Sequence, residues 1–258
     1  MIKPLPSSTD GSQDRFDCML AMLSISSPHS PDGDQRSILC RVLDGREMEG
    51  VRTEDLAILS PDEQGHYARL QNPREHALHC RARAELRRML GRELGMAPQH
   101  VPIIPDHHGK PRCPHPAAAD LDFSVSHAGD CAIIALGEAA GIGVDVEFLG
   151  DQMPGWTLLE AVFHKQELDQ WPNIPVEKRC AAFAEAWVIK EAALKAVGTG
   201  LDGSPQEVRV RFDANGHAWP VFWSRLWIFE RIHVSSQYAA CVVAVMPQEE
   251  LPRHLIAA

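Results

Sequence analysis

Residues 141–147 read Gly-Ile-Gly-Val-Asp-Val-Glu, and apolar residues alternate in this stretch with glycine and acidic residues. A two-residue period of this kind predicts a β-strand whose Asp145 and Glu147 side chains project from one face. Two neighbouring carboxylates repel each other unless a cation or a proton joins them. The stretch therefore predicts a strand with an acidic face that is suited to binding a cation.

A second stretch, about forty residues later, predicts a helix over residues 179–197. Trp187, Glu191 and Lys195 are spaced four residues apart, so they lie on one stripe of this helix. If the stripe packs beside the acidic strand, Glu191 adds a third carboxylate to the pair. Such an all-oxygen site suits Mg²⁺, which typically takes one or two carboxylates together with phosphate oxygens and water. Lys195, one turn after Glu191, and Lys190, next to Glu191 in sequence, could then hold the phosphates.

The two stretches together resemble the paired signatures of the 4′-phosphopantetheinyl transferases, in particular the single-chain type that activates nonribosomal peptide, polyketide and fatty-acid synthases. The resemblance rests on G-I-G-V-D-V-E and on F-x-x-x-W-x-x-K-E-A-x-x-K, which is followed by G-T-G-L. A lone D-x-E motif is not specific, whereas both blocks in this order and at this spacing are. The match extends more loosely over residues 38–246.

The resemblance implies an α+β fold that is a pseudo-twofold pair of similar halves, each a small antiparallel sheet packed with a helix. Residues 38–141 are expected to form the N-terminal half, on the adenine and phosphate side of coenzyme A. Residues 142–258 are expected to form the C-terminal half, with the magnesium-binding carboxylates and the catalytic helix. Residues 1–37 are rich in Ser, Pro, Asp and Gly and are predicted to be an N-terminal extension, whose apolar residues 16–25 could add one strand.

The reaction that the resemblance implies is transfer of the 4′-phosphopantetheine arm of coenzyme A to a serine of an apo acyl or peptidyl carrier protein. Adenosine 3′,5′-bisphosphate is the product released. The resemblance assigns Mg²⁺ to Asp145, Glu147 and Glu191, and it assigns the catalytic roles to Glu191 and Lys195. Either Glu191 or a metal-bound water takes the serine proton, and the sequence leaves both open.

The coenzyme A-binding residues implied by the resemblance are spread along the chain. They are His66, Gly109, Lys110, Pro111, Ser126, His127, Lys190 and Lys195. The Gly-Lys-Pro loop is expected against adenine and the Ser-His pair against the phosphates, although a Ser-His pair at a strand end is by itself more often a turn cap. The family usually has a strong cation where His66 stands, and a histidine is only partly charged near neutral pH. This departure bears on the tightness of coenzyme A binding.

Two other patterns bear on the fold and the site. A helix over residues 73–94 carries arginines on one face, which predict a solvated surface or one or two contacts with coenzyme A phosphate or an acidic partner. These arginines are Arg81, Arg83, Arg87, Arg88 and Arg92. Strands predicted over residues 123–127, 131–136 and 141–148 are so close in sequence that a meander is expected.

Bulk composition narrows the class of protein. The chain of 258 residues has 45% hydrophobic and 23% charged residues, which is typical of a globular protein. Its net charge of −10 argues against nucleic acid or an anionic membrane as partner. No apolar run approaches the length of a membrane span, and the seven scattered cysteines predict free thiols. A cytoplasmic monomer that meets coenzyme A and carrier protein domains is expected.

Two further classes of protein stay open at this point. One is a non-catalytic paralogue that binds coenzyme A or a carrier protein, for which the missing cation near His66 would be a sign. The other is a different Mg²⁺-dependent phosphoryl-transfer enzyme that uses the same three carboxylates. Activity without any carrier protein would separate the latter from a transferase.

Overall fold

Two antiparallel sheets, each with one long helix packed against it, organise the computed structural model of the chain. The structure describes residues 20–26, 35–46, 48–150, 152–199, 203–221 and 227–245. The strands are β1 (Leu20–Ser26), β2 (Gln35–Asp44), β3 (Ile104–Pro105), β4 (Pro111–Arg112), β5 (Leu121–Ala128), β6 (Cys131–Glu138), β7 (Gly141–Phe148), β8 (Val210–Phe212), β9 (Ala218–Pro220), β10 (Trp227–Arg231) and β11 (Tyr238–Val245). The helices are α1 (Thr53–Leu56), α2 (Pro61–Tyr67), α3 (Pro73–Leu94), α4 (Trp156–Val162), α5 (Lys165–Gln170) and α6 (Arg179–Val197). The expected α+β fold is confirmed.

The first sheet has the strand order β1-β2-β6-β5, and all of its neighbouring strands are antiparallel. Helix α3 packs on this sheet through an apolar stripe that includes Leu78, Leu86 and Leu90. The helix begins at its cap Asn72, whose side chain accepts hydrogen bonds from two backbone amides, and it ends at Gly95, which has a φ of 63°. The sequence predicts both ends, because Asn is favoured at the N-cap of a helix and Gly tolerates the left-handed conformation of the residue that ends it.

The second sheet has the order β10-β11-β7 and does not continue the first one. The predicted meander is therefore wrong: β5 and β6 form a hairpin, whereas β7 leaves them and pairs along its whole length with β11. The reason is that one face of β7 is apolar, and this face is buried by packing against the first sheet rather than exposed beside it. Ile142, Val144 and Val146 are buried between the sheets in a core shared with Ile133 of β6.

The other face of β7 lies directly against α6. An ideal Cβ atom at Gly143 would stand 1.8 Å from the carbonyl oxygen of Ala192, and one at Gly141 would stand 2.1 Å from that of Ala196. A side chain at either position would overlap the helix backbone. The two glycines therefore set how closely α6 approaches the strand, and a larger residue would push the helix away.

Some predicted features fall on residues that the structure does not describe. Strand β1 lies within the predicted extension, but residues 1–19 and 27–34 are outside the described ranges, as is Gly200 of the G-T-G-L motif. The boundaries of the two predicted halves remain a prediction. Over the described ranges, the cysteines are free thiols, and no helix has both the length and the apolar character needed to cross a membrane.

We expect the substitution Gly143→Ala to lower the free energy of unfolding by about 3 kcal/mol or more, because its methyl group overlaps a backbone oxygen of α6. Chemical denaturation followed by circular dichroism measures this change. The matched control is Gly65→Ala in α2, where an added Cβ meets nothing within 4 Å. Because alanine is the better helix former, this control should stabilise the chain by up to about 1 kcal/mol. Equal stability of Gly143→Ala and the unsubstituted chain would contradict the close packing.

Candidate active site

A buried carboxylate lies at the centre of the contact between β7 and α6. Asp145 is 4% exposed, and its Oδ1 atom accepts hydrogen bonds from Lys195 Nζ at 2.6 Å and from Ser126 Oγ at 2.7 Å. Its other oxygen, Oδ2, is buried and has no hydrogen-bond partner. A buried acceptor of this kind is costly unless a cation or a donor binds to it.

The two other predicted carboxylates flank Asp145 on the strand and on the helix. Glu147 Oε1 accepts a hydrogen bond from Trp187 Nε1 at 3.0 Å, which ties the strand to the first part of the stripe on α6. Glu191 follows Trp187 by one helical turn and precedes Lys195 by another. The structure therefore brings the predicted strand face and the predicted helix stripe together.

Electrostatics in this cluster favour a bound positive charge. Burial raises the pKa of Asp145, although Lys195 and Ser126 oppose the change. Burial also raises the pKa of Glu147, with the charge of Asp145 as the next cause. The pKa of Glu191 is raised by the same two causes in the same order. Each carboxylate is thus more easily protonated than in water, and a bound cation would restore its charge.

The donor set fits Mg²⁺, although the side chains do not form a complete metal cage. Within the described ranges, no group of three or more His, Cys, Asp or Glu side chains is close enough to hold a metal ion by itself. Mg²⁺ does not need such a group, because phosphate oxygens and water commonly complete its shell around one or two carboxylates. Oδ2 of Asp145 is the free oxygen that such an ion requires.

A cavity of about 330 Å³ shares Lys195 with this cluster, and we call it the histidine cavity. It is lined by Tyr67, His79, Arg83, His108, Gly109, Lys110, Pro111, Phe123, Ser124, Val125, His127, Lys195 and Gly198. Lys195 connects the two parts of the site, since it lines the cavity and also binds Asp145. A ligand that contacts Lys195 from the cavity would therefore lie close to Asp145.

Two stacked imidazole rings line this cavity. The rings of His79 and His127 lie 4.0 Å apart at an angle of 11°. Burial lowers the pKa of His127 to about 3, and the neighbouring His79 ring and the charge of Lys195 act in the same direction. His127 is thus neutral near pH 7, and its buried Nε2 atom has no hydrogen-bond partner. A neutral imidazole of this kind offers a hydrogen bond rather than a charge.

Comparison with known proteins identifies a related family. Residues 141–243 match the family described as the 4′-phosphopantetheinyl transferase superfamily. This chain contains a 4′-phosphopantetheinyl transferase superfamily domain. The matched residues include Asp145, Glu147, Glu191 and Lys195.

The matches to individual relatives cover more of this chain than the match to the superfamily does. A putative 4′-phosphopantetheinyl transferase of Synechocystis, slr0495, is 32% identical over 152 residues, which are 59% of this chain and 62% of that protein. The 4′-phosphopantetheinyl transferase HetI of Nostoc is 32% identical over 150 residues, 57% of this chain and 63% of that protein. The matches thus span less than two thirds of the length of either relative. Among solved structures, the holo-[acyl-carrier-protein] synthase of Thermotoga maritima has 23% identity and a TM-score of 0.32, with 42% of this chain and 64% of that chain covered.

The residues expected to bind coenzyme A in a superfamily domain fall into two groups. Gly109, Lys110, Pro111, His127 and Lys195 line the histidine cavity. Three others do not line it: His66 is exposed on α2, whereas Ser126 and Lys190 are buried. The hydroxyl of Ser126 binds Asp145 and Lys195 instead, so its expected contact with phosphate stays a prediction.

The structure corrects the expectation for Lys190. Its side chain is completely buried, and Nζ donates hydrogen bonds to both carboxylate oxygens of Glu167 and to the carbonyl oxygens of Pro205 and Val208. All of its protons are used there, because an ammonium group has only three. Lys190 therefore does not face the phosphates. Although it is adjacent to Glu191 in sequence, it lies about 100° around the helix.

The histidine cavity also contains His79 and Tyr67, which the sequence did not single out. Arg83, one of the five arginines for which a contact with coenzyme A phosphate was left open, lines it as well. Arg83 Nε donates to the Tyr67 hydroxyl at 3.2 Å, and its buried Nη1 has no hydrogen-bond partner. The spacing of His79 and Arg83, four residues apart on α3, is the signal that places both on one side of the helix.

The other arginines of α3 do not form a solvated face as a group. Arg87 is 3% exposed and binds Glu63 and the carbonyl oxygen of Val101. Arg81 and Arg88 both bind the buried Asp55. The expectation of a solvated arginine surface is therefore wrong for these three, because carboxylates from α1 and α2 pair with them.

We expect the free energy of unfolding to fall less steeply on acidification when His127 is replaced by Phe. Because the folded chain lowers the pKa of His127, the unfolded chain binds this proton first, and stability is lost as the pH falls from about 6.5 towards 3. The contribution of one such proton approaches about 1.4 kcal/mol per pH unit. Urea denaturation at pH 6 and pH 5 measures the difference between variant and unsubstituted chain. The same slope in both would show that His127 is not held neutral.

Proposed function

We propose that this chain transfers the 4′-phosphopantetheine arm of coenzyme A to a serine hydroxyl of an apo acyl or peptidyl carrier protein. The reaction depends on Mg²⁺ and releases adenosine 3′,5′-bisphosphate. The observation that carries the proposal is the buried Asp145: its Oδ2 has no hydrogen-bond partner, its charge acts on Glu147 and Glu191, and its Oδ1 binds Lys195, which also lines the histidine cavity. Transfer to carrier proteins follows from the family, and the class of carrier is left open.

The histidine cavity supports coenzyme A as the substrate. Its volume of about 330 Å³ falls at the small end of the usual range for a ligand pocket. Arg83 and Lys195 supply positive charge on its walls, and the two stacked histidines supply flat rings. A nucleotide with several phosphates needs both kinds of contact. Arg83 thereby compensates for the weak cation at His66.

The pyrophosphate of coenzyme A is proposed to lie between Lys195 and the carboxylates. Mg²⁺, held by Asp145, Glu147 and Glu191, would neutralise the charge that develops on the phosphate oxygens. The side chain of Lys195 is 32% exposed and lies between the cavity and the carboxylates. Its Nζ can therefore bind a phosphate oxygen as well as Asp145. Orientation and charge neutralisation are the main demands of phosphoryl transfer.

The serine of the carrier must lose its proton as it attacks the phosphorus atom. Glu191 is the proposed base, which acts directly or through a water molecule. Its raised pKa supports this role, since a carboxylate whose pKa moves towards neutrality is a stronger base. Ser126, Trp187 and Lys195, the side chains that donate hydrogen bonds to Asp145 or Glu147, do not donate one to Glu191. The Glu191 carboxylate is therefore available to a substrate.

A non-catalytic coenzyme A-binding protein is the second class to test. The retained carboxylates and Lys195 oppose it, because a protein that only binds coenzyme A has no use for a proton acceptor at this place. A location in the cytoplasm and a monomeric state belong to the proposal as well. They agree with the composition of the chain, with its free thiols and with its negative net charge.

We expect the chain to add one phosphopantetheine group to an apo carrier domain in the presence of coenzyme A and Mg²⁺, as measured by intact-protein mass spectrometry. Glu191→Gln should reduce the rate by about a hundredfold or more, because removal of a general base typically costs that much. The control is Glu93→Gln, an exposed acid on α3, which should keep the full rate.

The carriers for this test should include both a fatty-acid carrier and a peptidyl carrier. Coenzyme A binding without any mass gain on any carrier would support the non-catalytic protein. Hydrolysis of coenzyme A without a carrier would indicate a different phosphoryl-transfer enzyme. Either outcome would contradict the proposal.

A further inference from the structure

The buried carboxylate of Asp122 connects the loop of the histidine cavity to the strand of the candidate site. Asp122 lies on β5 and is 4% exposed. Its Oδ2 atom accepts hydrogen bonds from Lys110 Nζ at 2.7 Å and from the backbone amide of Ile142 at 2.6 Å. Its Oδ1 atom accepts one from Arg112 at 2.8 Å. One side chain therefore holds both the β3–β4 loop and the start of β7.

Lys110 extends this connection to the end of α6. Besides Asp122, Nζ donates to the carbonyl oxygen of Ile142 at 2.9 Å and to that of Lys195 at 2.8 Å. The last four carbonyl groups of a helix have no partner within the helix, and Lys195 provides one of them because α6 ends at Val197. A positive charge at a helix C-terminus is also favourable. Lys110 thus caps the final turn of the catalytic helix.

The position of Lys110 differs from that of a phosphate ligand. Its three ammonium protons have three acceptors within 2.9 Å, and the side chain is 9% exposed. The residue lines the histidine cavity, but its charged group is bound to the strand and the helix behind the cavity wall. Release of the ammonium group towards a phosphate would remove one of the two cations that bind the buried Asp122, which is unfavourable.

We propose that Lys110 is a positioning residue of the transfer reaction, which fixes the last turn of α6 against β7 and so holds the side chain of Lys195 at Asp145. This inference rests on the proposed function. The Lys195 carbonyl that Lys110 binds and the Lys195 ammonium that binds Asp145 at 2.6 Å belong to the same residue. A shift of that backbone therefore moves the ammonium relative to the carboxylates.

The test compares Lys110→Met with the unsubstituted chain, since methionine keeps an apolar stem of similar length and removes the ammonium group. Carrier modification gives kcat, and calorimetry with coenzyme A alone gives Kd. A misplaced catalytic group costs on the order of tenfold to a hundredfold in rate, so kcat should fall by about tenfold or more. Kd should stay within about threefold, because Lys110 contributes no charge to the ligand.

Two further variants keep the test specific. Arg112→Met is the matched control, since Arg112 also binds Asp122 but makes no hydrogen bond to the Lys195 carbonyl; it should lower kcat by less than about threefold. Asp122→Asn combined with Lys110→Met should be no slower than the slower single variant, because the two residues act as one unit. If Lys110→Met does not fold, Lys110→Gln replaces it, since its side chain is one atom shorter and uncharged: it leaves a polar group beside Asp122 but is expected to fall short of the Lys195 carbonyl, with the same fall in kcat.

The possible results separate this inference from the proposed function. If the unsubstituted chain modifies no carrier, the proposed function fails and the inference fails with it. If that chain is active and Lys110→Met keeps its kcat, or loses coenzyme A affinity by about tenfold, only the positioning role is overturned. A lower kcat with unchanged Kd and unchanged binding stoichiometry supports the role, because unfolding of part of the sample would lower the stoichiometry.

Discussion

The direct contact between strand β7 and helix α6 is the constraint on which the site depends. Gly141 and Gly143 leave no side chain between the two backbones, so the carbonyl oxygens of the helix stand where Cβ atoms would otherwise be. At this separation, Trp187 reaches Glu147 and Lys195 reaches Asp145 by hydrogen bonds of 3.0 Å and 2.6 Å. A wider gap would break both bonds together.

The charges in this contact are unbalanced. In the part of the chain that the structure describes, the carboxylates of Asp145, Glu147 and Glu191 lie near the ammonium group of Lys195, so negative charge exceeds positive charge by two when all four groups are ionised. Burial raises the pKa of each carboxyl, which means that the fold holds these groups at a cost in stability. A divalent cation would balance this charge, which supports the proposed dependence on Mg²⁺.

Sequence patterns predicted the parts of this site that belong to single elements. The alternation over residues 141–147 placed both acids on one strand face, and the four-residue spacing of Trp187, Glu191 and Lys195 placed them on one stripe of a helix. Periodicity gives the direction of a side chain within its own element. The capping residues Asn72 and Gly95 predicted the ends of α3, because capping also acts within a single element.

Contacts between elements were predicted less well, since periodicity does not say which surface covers a given face. Strand β7 was expected beside β6 but pairs with β11, because its apolar face is buried against the first sheet. Lys190 was expected near phosphate, yet it turns into a pocket closed by Glu167, a residue of α5. Arg83 pairs with Glu63, as Arg87 does, yet it also lines the histidine cavity. The sequence of one helix does not contain that information.

The most direct test of this account is a crystal structure of the chain with coenzyme A and Mn²⁺, a divalent ion whose anomalous scattering locates it without ambiguity. The account predicts an anomalous peak bound to Oδ2 of Asp145, with coenzyme A in the histidine cavity and its pyrophosphate at the same ion. A metal ion bound elsewhere, or coenzyme A outside that cavity, would contradict the claim that the contact of β7 and α6 forms the active site.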